Sequence, residues 1–177
     1  MQEIEVKILE INRRKIEDAL ARMGATRTFD GEVETLSYDF KDGSIVKDRN
    51  VIRLRSEDNH FVLTYKRVKR NRQAKKAEEY SVIVSDLWAM QKILESLGLV
   101  LIDSTKKHRI SYKLEGAHFD IDRYLGKYSY IPEFLEIEAD SVKSIREYAK
   151  ALGFDAENSL AWSTAQVIEH YSRMKEK

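Results

Sequence analysis

Three pairs of acidic side chains, each two residues apart, stand out in strand-like segments of this chain. The pairs are Glu3 with Glu5, Asp120 with Asp122, and Glu136 with Glu138. Residues i and i+2 of a β-strand lie on the same face, so each pair would present two carboxylates together. Carboxylate oxygens are the hard ligands that Mg²⁺ and Mn²⁺ prefer in proteins. We therefore expect a site for Mg²⁺ or Mn²⁺, and the candidate ligands are Glu3, Glu5, Asp122, Glu136 and Glu138.

Basic side chains follow the same spacing in the middle of the chain. Arg53 pairs with Arg55 and Lys107 with Arg109, while Lys66 lies in a further strand-like segment. Arginine and lysine donate hydrogen bonds and positive charge to phosphate oxygens. Like charges side by side are unfavourable unless something neutralises them. A triphosphate that carries metal ions would neutralise both sets, and we expect such a ligand.

Other phosphate-binding and catalytic motifs are missing from the sequence. It contains neither GxxxxGK[ST] nor GxGxxG, so we expect side chains, not a backbone loop, to bind the phosphates. The chain has no cysteine, which excludes disulfides, thiolate chemistry and cysteine-bearing zinc sites. The four histidines show no HxxxH spacing, and we interpret them as surface or structural residues.

The composition is typical of one globular domain, which we expect to cover residues 1–177. No apolar run approaches the roughly 18 residues that a membrane span needs. The N-terminus lacks the apolar segment of a signal peptide, so we expect a cytoplasmic location. Thirty-one Lys and Arg nearly cancel 30 Asp and Glu, and this balance disfavours nucleic-acid binding.

Alternating apolar and polar residues predict eight strands, and apolar spacings of three and four predict four helices. The strands are expected at about 2–9, 32–40, 50–57, 60–68, 77–84, 104–114, 117–124 and 134–140, and the helices at about 12–24, 86–98, 141–153 and 162–175. Short connections favour antiparallel pairing. We predict an α+β fold, an eight-stranded antiparallel closed β-barrel with helices packed outside and the charged faces lining the interior.

Local signals mark the ends of these elements. Asn12 and Ser85 are expected to cap helix N-termini, and Gly24, Gly98 and Gly153 to end helices in a left-handed conformation. The polar stretch 66–76, KRVKRNRQAKK, interrupts the strand pattern. We interpret it as a solvated loop between two strands, with a lip that steers phosphate as the alternative.

Seven segments, in order along the chain, resemble the strand signatures of the CYTH superfamily, the triphosphate tunnel metalloenzymes. They are EIEVK at 3–7, VIRLR at 51–55, LTYKR at 63–67, AEEYSVIV at 77–84, KKHRISYKL at 106–114, FDID at 119–122 and FLEIEA at 134–139. The resemblance implies an eight-stranded tunnel that holds a triphosphate by basic residues and metal by acidic ones. The residues that it assigns to the phosphates and to catalysis are Lys7, Arg53, Arg55, Lys66, Lys107 and Arg109, with Glu79 orienting the basic residues or assisting the metal site.

The sequence departs from the family pattern at three places. The fifth strand often reads Arg-x-Glu-x-Glu, but Ala77, Glu79 and Ser81 occupy those positions. Residues 67–69 are ArgValLys where the cyclase-like branch often has GlyPro, and Ser163-Thr164 stands where a Ser-Tyr pair often begins the last helix.

Members of the family either cyclise ATP to cyclic AMP and pyrophosphate or hydrolyse triphosphates such as tripolyphosphate. The length and the extent of the resemblance favour a class IV adenylate cyclase-like enzyme, and the departures favour a tripolyphosphatase or another triphosphate hydrolase. A non-catalytic module that binds polyphosphate or nucleotide is a further alternative. RNA binding through 66–76 and a lipocalin-like carrier are disfavoured, and a homodimer is an expectation from the family alone.

Overall fold

The computed structural model describes residues 2–57, 60–69, 75–155 and 158–175, with the side chains of 2, 3, 57, 68, 69 and 75–77 left out. This part of the chain forms eight strands, five α-helices and one short 3₁₀ helix, Gly126–Tyr128. The strands are β1 (Gln2–Ile8), β2 (Thr26–Phe40), β3 (Val51–Glu57), β4 (His60–Lys69), β5 (Lys75–Val84), β6 (Leu99–Leu114), β7 (Ala117–Leu125) and β8 (Phe134–Ala139). The helices are α1 (Arg13–Arg22), α2 (Ser44–Lys47), α3 (Leu87–Ser96), α4 (Val142–Ala151) and α5 (Thr164–Lys175).

The strands form one antiparallel sheet in the order β1-β5-β4-β3-β2-β6-β7-β8. β1 pairs with β5 through residues 2–5 and with β8 through residues 5–8, so its two halves meet different neighbours. The predicted α+β fold with eight antiparallel strands is therefore confirmed. Among the described residues, five of the eight pairings join strands that are consecutive along the chain, and three join distant strands: β1 with β5, β1 with β8, and β2 with β6.

Two strands begin earlier than predicted. β2 starts at Thr26, where it pairs with Lys113, and β6 starts at Leu99, where it pairs with Phe40. The first residues of each strand lack the clear apolar alternation of the rest. β2 and β6 pair with each other, and their hydrogen bonds satisfy the backbone groups of these first residues. This pairing extends both strands beyond the segments that the local sequence pattern indicates.

The described residues of the polar stretch at 66–76, which are 66–69, 75 and 76, lie in strands and not in a loop. Pairing between β4 and β5 continues from Lys66 opposite Glu79 to Lys69 opposite Lys76. Residues 70–74 of the expected loop lie outside the described residues. Arg67 stands opposite Glu78, so opposite charges across the hairpin stabilise this extension.

Helices pack on the sheet in three clusters, two on its apolar face and the third at one end of its charged face. α1 and α4 place Leu20 and Ile145 on the outward residues of β1, β7 and β8. α3 places Leu94 against Leu54, Tyr38 and their neighbours. In the third cluster, α5 packs on the ends of β7 and β8, and its members include Tyr124, Phe134, Val167 and Tyr171. No helix of the described segments is long and apolar enough to cross a membrane.

Helix ends mostly follow the predicted caps. The Asn12 side chain accepts a hydrogen bond from the Lys15 amide at 3.1 Å, as expected. Ser85 is not the cap of α3; the residue that precedes the helix is Asp86, whose carboxylate accepts from the Ala89 amide at 2.9 Å. The three predicted terminal glycines have φ of 79°, 90° and 88°, and these are Gly24, Gly98 and Gly153.

A one-turn helix, α2, was not predicted. The buried carboxylate of Asp39 accepts hydrogen bonds from the amides of Ile45 and Val46, at 2.9 and 3.1 Å. A side chain on β2 thus satisfies the free N–H groups at the start of α2. Such a cap six residues away in sequence is invisible to local pattern rules.

Candidate functional site

The strand register places the predicted acidic residues on one face of the sheet. Directly opposed residues of an antiparallel pair share a face. Between β1 and β8, Lys7 stands opposite Glu136 and Glu5 opposite Glu138. Between β8 and β7, Glu136 stands opposite Asp120. Three neighbouring strands therefore form one acidic wall, with a lysine built into it.

The same face continues with basic residues on the other strands. Arg109 on β6 stands opposite Asp122. Farther along the strand order, on β3, β4 and β5, Arg53 is opposite Thr64, and Lys66 is opposite Glu79. The predicted residues of both signs whose side chains are described, from Glu5 to Glu138, are thus gathered on the face away from α1, α3 and α4. At one end of this same face α5 packs against Tyr124 and Phe134. The side chain of Glu3 is the one predicted ligand that lies outside the described residues.

Glu136 holds the acidic wall together. Its Oε1 lies 2.8 Å from Nζ of Lys7, and its Oε2 accepts a hydrogen bond from Nη2 of Arg109 at 3.0 Å. Burial alone would raise the pKa of Glu136, but the charges of Lys7, Lys107 and Arg109 hold it well below its usual range. Glu136 is therefore ionised and bridges two buried cations.

Lys7 has only 1% of its side chain exposed. Its Nζ also donates to Oε1 of Glu5 at 3.3 Å. Burial would lower the pKa of Lys7, but the charges of Glu136 and Glu5 raise it above its usual value. The backbone of Lys7 exchanges two 2.8 Å hydrogen bonds with Leu160. Lys7 is thus fixed as a charged group by side-chain and backbone contacts together.

Asp122 is fully buried, and its carboxylate is bound by two cations. Nε and Nη2 of Arg109 donate to its two oxygens at 2.7 Å each, and Nζ of Lys107 donates to Oδ2. Burial, followed by the charge of Arg109, lowers the pKa of Lys107 to about 8, although Asp122 opposes this. Asp122, Lys107 and Arg109 form one compact charged group on β6 and β7.

Asp120 is the one member of the three acidic pairs that the sequence analysis did not name as a candidate metal ligand. Its Oδ1 accepts from Ser111 Oγ at 2.6 Å and lies 3.0 Å from Nε2 of His118, while Oδ2 contacts Arg109. Burial would raise the pKa of Asp120, but Arg109 and the hydrogen bond from His118 lower it to about 2. That hydrogen bond in turn raises the pKa of His118. The alternation that paired Asp120 with Asp122 could have found it.

The basic residues of β3, β4 and β6 on this face form a basic wall, and on β3 and β4 this wall is arranged around Glu79. Its Oε2 lies 2.6 Å from Lys66 Nζ and 3.9 Å from Arg53 Nη2. Ser81 donates to Oε1 of Glu79 at 2.7 Å and lies 3.0 Å from the hydroxyl of Thr64. Ser81 thus supports Glu79 in the position where the family often has a second glutamate. Arg55 lies two residues from Arg53 on β3 and therefore on the same face.

A small cavity of about 10 Å³ opens in the acidic wall, enough for roughly one water-sized species. Its lining residues are Glu5, His118, Asp120, Glu136 and Glu138. Four carboxylates and an imidazole are a donor set that suits Mg²⁺ or Mn²⁺. Among the side chains described, no three His, Asp or Glu converge closely enough to hold a metal ion as they stand. A metal ion bound by Glu136 would compete with Lys7 and Arg109 for its carboxylate oxygens. Asp122 does not line the cavity.

The sequence is similar to known proteins over most of its length. A model of the CYTH domain matches residues 1–164. A Methanocaldococcus jannaschii protein that carries the provisional name adenylate cyclase is 29% identical over 152 residues. The alignment covers 86% of this chain and 84% of that protein.

Two solved structures share the fold. A Vibrio parahaemolyticus protein, also provisionally named adenylate cyclase, aligns with a TM-score of 0.81 at 14% identity, over 94% of this chain and 97% of that one. A Hippeastrum protein, described as a provisional adenylyl cyclase with a dominant triphosphatase activity, aligns with a TM-score of 0.69 at 15% identity, over 96% of each chain. At these identities the likeness concerns the fold alone.

Proposed function

Because the chain belongs to the CYTH domain family, we propose that it binds a triphosphate compound with a divalent metal ion and transfers a phosphoryl or nucleotidyl group. One observation carries this proposal: the register places an acidic wall and a basic wall on the same face of one sheet. A ligand that bears both negative phosphates and positive metal is complementary to such a face.

We propose further that the eight strands enclose a tunnel. The strand order brings β1 beside both β5 and β8, each along one half of its length. Helices α1, α3 and α4 cover the opposite, apolar face in two clusters. Twisted eight-stranded sheets of this kind close around an interior just wide enough for side chains and one small ligand.

In the proposed complex, the basic residues bind the triphosphate oxygens. They are Lys7, Arg53, Arg55, Lys66, Lys107 and Arg109. Burial makes each charge–phosphate contact stronger than it would be in water. Glu79 orients Lys66 and Arg53, since it already contacts both. The chain would thereby neutralise the charge that develops on the departing phosphates.

The carboxylates of Glu5, Glu136 and Glu138, with Glu3, would hold Mg²⁺ or Mn²⁺. A bound ion of this kind polarises the reacting phosphate and lowers the pKa of the attacking oxygen. Glu136 links the two functions, because it contacts Lys7 and Arg109 from the edge of the metal cavity. The binding of metal and the binding of triphosphate would therefore be coupled through Glu136.

Two reactions are compatible with this site. We favour the cyclisation of ATP to cyclic AMP and pyrophosphate, as the provisional name of the Methanocaldococcus relative suggests for that protein. The alternative is hydrolysis of tripolyphosphate or of another triphosphate, and the triphosphatase activity described for the Hippeastrum protein favours it. A module that binds without turnover is the third candidate, motivated by Ser81 where the family often has a glutamate.

The products of one incubation separate these candidates. Purified chain is incubated with ATP or tripolyphosphate and Mg²⁺ or Mn²⁺, and cyclic AMP, pyrophosphate and orthophosphate are quantified. Cyclic AMP with equimolar pyrophosphate supports the cyclase, and orthophosphate supports the hydrolase. Metal-dependent binding without product supports the module. Neither binding nor turnover of any triphosphate would overturn the proposal. A Glu147→Gln variant, altered on the exposed face of α4, is the matched control.

A further inference from the structure

Asp122 differs from the other predicted metal ligands in its surroundings. On β8, the residue opposite Asp122 is Phe134, whereas the residue opposite Asp120 is Glu136. Glu5, Glu136 and Glu138 line the acidic cavity together with Asp120, and Asp122 does not. The side chain of Asp122 has no exposed surface at all. Asp122 therefore lies two residues along β7 from Asp120, the carboxylate of this strand that could share a metal with Glu5, Glu136 and Glu138.

The acceptor capacity of Asp122 is taken up by cations. Arg109 binds both of its oxygens in the two-pronged geometry that guanidinium and carboxylate favour, at 2.7 Å each. Lys107 adds a third donor on Oδ2. A metal ion on Asp122 would compete with these donors, and Lys107 would lose the acceptor that it contacts.

Arg109 is held in one orientation by three carboxylates. Its Nη1 contacts Asp120, its Nη2 reaches Glu136 at 3.0 Å, and its Nε and Nη2 are bound by Asp122. Lys107, by contrast, has Asp122 as the one carboxylate within ion-pair distance among the described side chains. Long basic side chains lose considerable rotamer freedom when they are fixed in this way. Asp122 is the contact that fixes both of them at once.

We infer that Asp122 is a positioning residue for the triphosphate and not a metal ligand. It orients Lys107 and Arg109 on the basic side of the site, and the carboxylates that hold the metal are those of the cavity. This inference rests on the proposed function, because it assumes that Lys107 and Arg109 bind phosphate. It gives Asp122 a different role from the metal ligand that the sequence analysis expected.

The substitution Asp122→Asn separates the two roles, because asparagine keeps the shape and one acceptor oxygen but loses the charge and the second acceptor. Mn²⁺ binding is followed by electron paramagnetic resonance without triphosphate. Tripolyphosphate binding is followed by calorimetry at a fixed, saturating Mn²⁺ concentration. Glu138→Gln is the matched comparison, since Glu138 lines the cavity on the adjacent strand.

Loss of an orienting hydrogen-bond partner typically weakens ligand binding about tenfold or more, so Asp122→Asn should lower tripolyphosphate affinity by about tenfold. Its Mn²⁺ affinity should stay within about twofold of the wild type, because no cavity ligand has changed. Glu138→Gln should lower Mn²⁺ affinity. Because Asp122 acts through Lys107, its effect on tripolyphosphate should be less than additive with that of Lys107→Gln.

Each outcome decides a different question. A tenfold loss of Mn²⁺ affinity in Asp122→Asn, or tripolyphosphate affinity that is unchanged or increased, would overturn the inference while the proposed function stands. Failure of the wild-type chain to bind either ligand would overturn the proposed function itself. If Asp122→Asn does not fold, the double variant with Lys107→Gln removes one charge of each sign. Retention of Mn²⁺ affinity in that variant supports the inference, and its loss contradicts it.

Discussion

The ammonium group of Lys7 lies 2.8 Å from the carboxylate of Glu136, in the interior of the molecule. This contact joins β1 to β8 across a directly opposed pair. It also joins a residue proposed to bind phosphate to one proposed to bind metal. The same lysine is tied through its backbone to Leu160, in the segment that leads into α5. This buried ion pair therefore contributes to the stability of the fold and to the proposed site.

We predict that Lys7→Met destabilises the fold by about 3 kcal/mol or more, because breaking a buried pair leaves a charge without its partner. The free energy of unfolding in urea measures this. Lys143→Met, at an exposed position on α4, should change it little, since exposed pairs contribute about 0–1 kcal/mol. A loss in Lys7→Met as small as that of the control would show that Arg109 alone satisfies Glu136.

Glu5→Gln and Glu136→Gln should each abolish metal-dependent turnover while the fold survives. Each substitution removes one negative oxygen from the acidic cavity, and we expect a fall in kcat/KM of about a hundredfold or more. Turnover is measured at several Mn²⁺ concentrations, with circular dichroism as the check on folding. Wild-type activity in both variants would contradict the metal assignment.

The affinity for triphosphate should fall as the pH rises through about 8, the value to which burial lowers the pKa of Lys107. Below that pH Lys107 is charged and attracts phosphate; above it the amine is neutral and the attraction is lost. The pH dependence of kcat/KM reports the groups of the free protein. Lys107→Arg stays charged throughout, so its profile should lack this limb. An identical limb in the variant would assign it to another group.

The imidazole of His118 should titrate above its ordinary pKa, because its hydrogen bond to Asp120 favours the protonated ring. Proton–carbon NMR of the histidine ring across a pH series measures this directly. Asp120→Asn removes the negative charge and should bring the pKa of His118 down. A pKa that does not move in the variant would show that Asp120 is not the cause.

The sequence predicted the strands and their charged faces well, because both are local properties. Alternation over a few residues shows that Glu136 and Glu138 share a face, wherever their strand lies. Helix caps were predicted less well where they depend on neighbours, as Asp86 in place of Ser85 shows. The cap on α2 comes from Asp39 on another strand and gave no local signal.

The sequence alone could not distinguish Asp120 from Asp122 as a candidate metal ligand. The two are equivalent by spacing, since both lie on the charged face of β7. Their difference arises from the register with β8, which sets Asp120 opposite Glu136 and Asp122 opposite Phe134. His118 was interpreted as a surface or structural residue for the same reason, although it stands opposite Glu138 and lines the cavity.

By itself, then, the sequence determined that charges of each sign lie on single faces of their strands, and this pattern led us to expect a ligand of mixed charge. The tertiary structure decided which carboxylates share a cavity and which are bound to lysine and arginine. The physical reason is that side-chain alternation depends on neighbours along the chain, whereas register depends on packing between segments that are far apart in sequence.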